Sequence, residues 1–534
     1  MRPSVLQSTA ATTALKRGFD QLADLLAITL GPRQGVVLSQ HATNPAPELL
    51  TDAATIARRV LQLPDRAEDV GAMLLRNLVW RMYLKAGDGS ATAAVLAQAI
   101  VHHAYRYVAA GGNVMLLRRG LARATAVAVD ALRAQAQPVQ TEGELAQVAF
   151  ALTGERDLSA LLGALFFKLG ADAHVTLEEY LARHLAVEYH DGGRWQARLT
   201  SPYFITDAIA RRAVVNDCYV VLCDGEVSRA DDVQPMLEMV AQTELRRVAL
   251  IANEIRGDAL NVLVVNQQRS NLPIVAVELR RPVMKRAHDF TDLAVITGAT
   301  VLSAQTGRTL QQIAPSDFGS AKRIEATADE MVVVGFEQHQ SASAQQVGAL
   351  QARALAPDDE EFPETTFRIA RLAGKVATLK LGATTDAERA VLKAKAERAL
   401  RALPLALRDG TVAGGGVAYL NCIAALETAR RAVATDDERM GVAVLARALE
   451  APFRRIAQNA GARPSALMAE ARRCGAGFGY DAVQAHIVDM RAAGIVDAMD
   501  VLRLALETAV SGAAMALTTD TIVLHANPQQ VYEP

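Results

Sequence analysis

The sequence predicts an α+β multidomain protein: a helical domain built from both ends of the chain, with an α/β domain inserted between. Three observations predict it. The chain has 534 residues, and domains hold roughly 100–200 residues each, so about three are expected. Residues 1–136 and about 375–518 carry apolar side chains at helical spacing. Residues from about 190 to 372 instead alternate short β-rich runs with helical stretches, the sign of an α/β unit with a parallel sheet.

The elements follow in order. GFDQLADLLAITL reads as a helix that stops at Gly31-Pro32. VLAQAIVHHAYRYVAA and LLRRGLARATAVAVDALRAQ are two more helices, divided by Gly111-Gly112, and Pro138 marks a boundary. VVNDCYVVLCD, RRVALIAN and PIVAVEL read as strands, with DDVQPMLEMVAQ and GDALNVLVVNQQ as helices between them. The chain is read as helical again after about 375, and TIVLHA is a last strand. Inserting one domain into another is cheap when the ends of the insert lie close together.

Composition excludes several classes. Hydrophobic residues make up 51 % and charged residues 21 %, which excludes a disordered chain. The net charge of −2 removes the basic field of a nucleic-acid binder. Cys218, Cys223, Cys422 and Cys474 form no Cys-x-x-Cys pair. Cys218 and Cys223 lie in an apolar strand, so buried, reduced thiols are expected. The ten histidines are scattered and receive no role. MRPSVLQSTAATTALKRG lacks the apolar core of a signal peptide, and no apolar stretch is read as reaching the roughly 20 residues that span a membrane. A cytoplasmic protein with no membrane partner is expected.

Three segments could carry chemistry. Thr29-Leu30-Gly31-Pro32 follows a helix stop, where glycine lets backbone approach a ligand closely; the alternative is an ordinary loop. Gly87-Asp88-Gly89-Ser90-Ala91-Thr92 precedes a helix, whose free N–H groups and positive end suit phosphate. An aspartate there could hold Mg²⁺ on phosphate oxygens. The alternative is an N-cap with turn glycines. Gly414-Gly415-Gly416 opens another helix, either for close backbone approach or as a flexible turn, and it has neither Rossmann nor P-loop spacing.

These three segments, in this order and at these separations, resemble the group I chaperonins, the bacterial-type GroEL family. LAQVAF, SPYF, GDALNVLVVN, TDLAVITGATVLS, LAGKVATLKLGA, DGTVAGGGVAYL and GIVDAMDVLRLAL extend the resemblance over nearly the whole chain. It implies chaperonin architecture: a helical equatorial domain (1–136 and 411–534), a small intermediate domain (137–190 and 373–410) and an α/β apical domain (191–372). It implies ATP and Mg²⁺ as cofactors, with K⁺ as a further candidate.

By resemblance, Thr29, Leu30, Gly31 and Pro32 line the nucleotide. Asp88 ligates Mg²⁺, and Gly89, Ser90, Ala91 and Thr92 face the phosphates. Gly415 also borders the nucleotide. Asp481, Ala482 and Val483 lie at the base, Asp497 at the ribose, and Asp52 helps order the attacking water. Leu199, Tyr203, Phe204, Leu237, Leu260, Val264 and Val265 fall at positions that bind unfolded clients and a co-chaperonin lid. Val233, Met236, Leu237 and Val240 form a helical stripe, a pattern that also describes core. A seven-fold ring, homomeric or mixed, is implied.

The sequence departs from the family at several places. Arg398 stands where the family has a catalytic aspartate, and an arginine cannot act as a base. Glu397 is the candidate substitute, although one residue is roughly 100° around a helix, and Pro404 lies in the same helix. Arg463 replaces a glutamate that pairs across rings with the position of Arg454. Lys375 follows Gly374 where the hinge usually has a second glycine, and Gln234 replaces an apolar groove residue. The end HANPQQVYEP lacks the family's Gly-Gly-Met tail. Two functions remain open: an ATP-driven folding chaperonin, and an ATP-binding, poorly hydrolysing paralogue acting as holdase or accessory subunit. An unrelated α/β enzyme is the third reading, and no nucleophile–base pair or metal cluster supports it.

Overall fold

The structure, a computed structural model, describes residues 4–40, 48–171, 173–180, 184–208, 211–243, 246–269, 272–303, 307–354, 362–373 and 375–525. The chain divides into two compact units. One joins Met1–Asp172 to Thr384–Pro534, and the other is Ala173–Ala383. The segments expected as an intermediate domain are split between them.

The first unit is helical and drawn from both ends of the chain, as the patterning predicts. Its long helices are Ser8–Ala27, Arg66–Ala86, Ser90–Ala109, Val114–Gln135, Asp386–Asp409 and Met499–Thr518. Their starts are specified locally. Asp65 accepts from the N–H groups of Ala67 and Glu68, and Asn113 from those of Met115 and Leu116. Ser8–Ala27 crosses Arg66–Ala86 at backbone contact. A methyl on Gly18 would fall 1.6 Å from the Glu68 carbonyl oxygen, and one on Gly71 would fall 2.0 Å from that of Leu15. Both ends of the chain meet in an antiparallel ladder, Ser4–Gln7 against Thr521–Leu524.

Met499–Thr518 is long and apolar enough to cross a membrane by length and composition, which corrects the expectation that no such stretch exists. It packs on Arg66–Ala86, Ser90–Ala109 and Val114–Gln135, with Ala505, Leu506, Ala509 and Ala513 fully buried. A central core helix accounts for its composition.

The second unit is built on a nine-stranded sheet. Ala213–Val227, Val248–Ile255 and Ile274–Leu279 run parallel, linked by the helices Ala230–Ala241 and Gly257–Arg269. Ile274–Leu279 is buried along its whole length, as expected of a central parallel strand. Ala186–Leu199, Gly319–Ala326 and Glu330–Val334 add antiparallel pairings, and Glu330–Val334 also pairs with Ala186–Leu199 to close the strands into a ring. Lys375–Gly382 is a strand between Ala186–Leu199 and His174–Tyr180, not the start of the helical return. Its apolar residues Ala377, Leu379 and Leu381 are buried and alternate in sequence with Thr378 and Lys380, a period of two that the helical reading overlooked. Gly374 and the chain end beyond 525 lie outside the described residues.

A buried charge network braces this unit. Arg371 pairs with Asp289 and Asp292, Arg368 with Asp292 at 2.6 Å, and Arg281 with Asp289 at 2.9 Å and Glu364 at 2.6 Å. The Arg371 guanidinium also stands 5.2 Å from the centre of the Trp195 ring. Cys218 and Cys223 are buried in their strand, as expected.

Candidate functional site

The three glycine-bearing segments and their expected companions all fall in the helical unit. Gly87 ends the helix Arg66–Ala86 and Gly89 begins Ser90–Ala109, both left-handed, at φ 70° and 80°. Two helix ends thus meet head to tail around Asp88. The first bond of the second helix runs from Ala93 N–H to Gly89, so the N–H groups of Ser90, Ala91 and Thr92 have no intrahelical acceptor. Ser90 Oγ instead donates to Val79 at 3.3 Å.

One neighbouring segment touches this loop, and others are joined to that segment or to one another. A methyl on Gly89 would lie 3.0 Å from Val501, just beyond the strand Val496–Ala498 that carries Asp497. That strand pairs with Thr411–Ala413, directly before the glycine run. Gly415 (φ +64°) approaches Met490, and Gly416 starts Val417–Arg431 against the backbone of Phe453. Asp481 is buried and folds its own turn, accepting from Val483 N–H at 2.8 Å and Gln484 N–H at 3.1 Å. Ala482 is buried and Val483 is exposed. Arg33 donates to the Val483 carbonyl at 3.0 Å, which ties the 29–33 loop to this turn.

The 29–33 loop is fixed from below by a residue that the sequence did not single out. Asn459 donates to the carbonyls of Ala27 at 2.9 Å and Leu30 at 2.8 Å. Thr29 Oγ1 donates to Leu26 O at 2.7 Å, so its hydroxyl serves the helix end. Gly31 (φ +95°) lies against Ile456, while Leu30 and Pro32 complete the turn.

The charges at the centre are arranged around Arg398. Its Nη2 donates to Asp88 Oδ1 at 2.8 Å, and its Nε stands 3.7 Å from Asp52 Oδ1. Asp52 caps Ala53–Arg59 through its other oxygen, which accepts from Thr55 N–H at 2.9 Å and Oγ1 at 3.0 Å. Burial lowers the Arg398 pKa, but the charges of Asp88 and Asp52 outweigh it and hold the guanidinium above its ordinary value. Asp497 is pushed up to about 7 by burial, with a smaller push from the charge of Asp88. Glu397 makes no ion pair or hydrogen bond among the described residues. The helix Asp386–Asp409 runs unbroken through Pro404 and presents Arg398, rather than Glu397, to the loop.

That helix is held by four contacts, one to the loop and three to neighbouring elements. A methyl on Gly87 would fall 2.5 Å from the Arg398 carbonyl oxygen. Arg401 donates to Leu84 O at 3.2 Å and stands 5.3 Å from the Tyr83 ring centre. Lys395 pairs with Glu155 at 2.6 Å. No group of three or more His, Cys, Asp or Glu able to hold a metal occurs among the described residues.

The expected client residues lie in the sheet unit. Tyr203 and Val265 are exposed, and Leu199, Leu260 and Val264 are partly buried against the core. Phe204 and Leu237 are core: Phe204 is 0 % exposed and Leu237 7 %. Val233, Met236 and Val240 of the same stripe are buried with them. Gln234 is exposed and donates to Glu238 at 2.8 Å.

The comparisons with known proteins agree with this architecture. The chain matches the family described as "TCP-1/cpn60 chaperonin family" over residues 22–527. It is similar to the chaperonin gp146 of bacteriophage EL 2 (Pseudomonas aeruginosa), crystallised in the presence of ATP-BeFx. In crystal form II the TM-score is 0.68 at 16 % identity, covering 98 % of this chain and 99 % of that one. In crystal form I it is 0.64 at the same identity and coverage. The helical unit built from both ends, the inserted sheet unit and a family match over nearly the full length converge on one conclusion: the chain belongs to the TCP-1/cpn60 chaperonin family.

Proposed function

We propose that this chain is a chaperonin subunit that binds ATP in its helical unit and unfolded protein on its sheet unit, and that it serves as a binding or accessory subunit because its own hydrolysis is slow. One observation carries the reading. The position at which the GroEL family presents a catalytic aspartate presents Arg398, whose guanidinium donates to Asp88 and faces Asp52. A permanent cation cannot take a proton from water. General-base catalysis contributes about 10²–10⁴-fold, so turnover should fall by a factor of that order.

Nucleotide binding is supported by the helix N-terminus after Gly89, whose first N–H groups suit phosphate, and by the turns at 29–32 and 481–483 and the glycine run at 414–416. It is also supported by the relative crystallised with ATP-BeFx. Client binding is assigned to the exposed Tyr203 and Val265 with the partly buried Leu199, Leu260 and Val264. A ring assembly, seven-fold in the GroEL family, and a co-chaperonin lid belong to the same proposal. Arg454 is satisfied within its own subunit by Glu450 at 2.7 Å and Ser465 at 3.1 Å. Arg454 and Arg463 are both cations, so the acid–base pair expected between opposing rings is missing, which favours single or mixed rings.

The test is steady-state ATP hydrolysis by the native chain, Arg398→Asp and Glu397→Ala, with ATP binding measured in parallel. The native chain should bind ATP and turn it over roughly 10²-fold more slowly than Arg398→Asp. Rapid native turnover that disappears in Glu397→Ala would assign the base to Glu397 and restore the ATP-driven folding machine.

A further inference from the structure

The residues around Asp88 do not fit the divalent ion that the family implies there. Asp88 Oδ1 already accepts from Arg398 Nη2 at 2.8 Å, and Asp52 Oδ1 faces Arg398 Nε at 3.7 Å. One guanidinium thus spans the two carboxylates that would otherwise face a metal and its waters. A divalent ion at Asp88 would stand beside a fixed positive charge, which repels it.

We infer that the Arg398 guanidinium takes the place of the divalent cation, so that this site holds a nucleotide's phosphates without a metal. The inference rests on the nucleotide-binding reading above. Three observations carry it. First, the arginine is anchored. Its helix is pinned by Lys395 on Glu155 and by Arg401 on Leu84, and Ala396, Ala399, Ala402 and Leu403 beside it are fully buried. Second, the guanidinium has donors to spare. It carries five N–H groups, and Nε is buried with no hydrogen-bond acceptor in reach. Third, it lies at the start of Ser90–Ala109, where free main-chain N–H groups already suit phosphate. A planar fork of donors binds phosphate oxygens in pairs, which an ammonium point charge does not.

Arg398 therefore plays two parts at one position. It removes the base that would activate water, and it supplies the positive charge that phosphates need. A site of this kind retains nucleotide when divalent ions are withdrawn, whereas one built on a carboxylate-held metal loses it.

The experiment is calorimetric titration of ATP into the full chain, once with MgCl₂ and once with EDTA. The native chain should bind with Kd values within about threefold of each other. Arg398→Asp should bind at least tenfold more weakly in EDTA and recover with Mg²⁺. Arg398→Lys, which keeps the charge, should still bind in EDTA, and it provides the comparison if the aspartate variant fails to fold. Native binding that weakens more than tenfold in EDTA overturns the inference and leaves the nucleotide reading standing. Equal binding by folded Arg398→Asp in EDTA also overturns it. Absence of binding in both buffers overturns the inference together with the nucleotide reading.

Discussion

Arg398 Nη2 lies 2.8 Å from Asp88 Oδ1, which joins a helix of the returning half of the chain to a loop of the outgoing half. Removing the arginine leaves Asp88 and Asp52 without their shared cation. Arg398→Ala should lower unfolding stability by about 1–3 kcal/mol, the cost of a partly buried group deprived of its partner. Adding Asp88→Ala should recover part of that loss. Denaturant unfolding of the native chain, both single variants and the double variant measures the coupling, and strictly additive losses would show that the pair contributes nothing.

Gly87 makes the same junction sterically. Its φ of 70° is left-handed, and a methyl there would lie 2.5 Å from the Arg398 carbonyl oxygen. Gly87→Ala should cost about 2 kcal/mol or more, combining backbone strain with displacement of the helix. Gly111 also has a positive φ but open space around it, so Gly111→Ala should cost only the strain, about 1 kcal/mol. Equal losses in the two variants would show that the close contact is unimportant.

The sheet unit should be most sensitive at Asp292. Its carboxylate is fully buried and serves both Arg368 and Arg371. Asp292→Ala strands the buried Arg368 guanidinium and leaves Arg371 with Asp289 alone, and should cost about 3–5 kcal/mol. Glu330→Ala removes a surface partner of Arg194 and should change stability by less than about 1 kcal/mol. Thermal unfolding of the two variants side by side checks the contrast.

Thiol chemistry should distinguish one cysteine from three. Burial pushes Cys218 and Cys422 up to about 12 and Cys223 up to about 11, whereas Cys474 is exposed. Only the thiolate reacts. Iodoacetamide at pH 8 should therefore label Cys474 alone in the native protein and all four cysteines in denaturant, as read by peptide mass spectrometry.

Much of the fold was legible because its signals are local. Helical spacing at both ends, alternation in the middle and the glycines at helix junctions each sit within a few residues of the element they specify. Relationships across long separations were not legible. Arg368 and Arg371 are three residues apart on one helix, and Asp289 and Asp292 three apart on another. Each pair alone reads as a solvated face, and only their meeting makes both a buried network. Phe204 and Leu237 were misplaced for a related reason: an apolar residue looks the same in sequence whether it faces a groove or the core. Arg398 stood out only through the family resemblance. Its two carboxylate partners lie more than 300 positions earlier in the chain.

The pairing of Ser4–Gln7 with Thr521–Leu524 has a consequence for how the molecule is made. At roughly 5–20 residues per second, the first strand emerges from the ribosome on the order of a minute before its partner exists. The helical unit stays incomplete throughout that wait, with Leu15, Phe19 and Leu22 lacking part of the core that later buries them. The sheet unit is contiguous from Ala173 to Ala383 and is translated in full well before the end. Newly synthesised chains thus pass through a stage in which the middle can close while the beginning remains sticky, and that stage is the one exposed to aggregation.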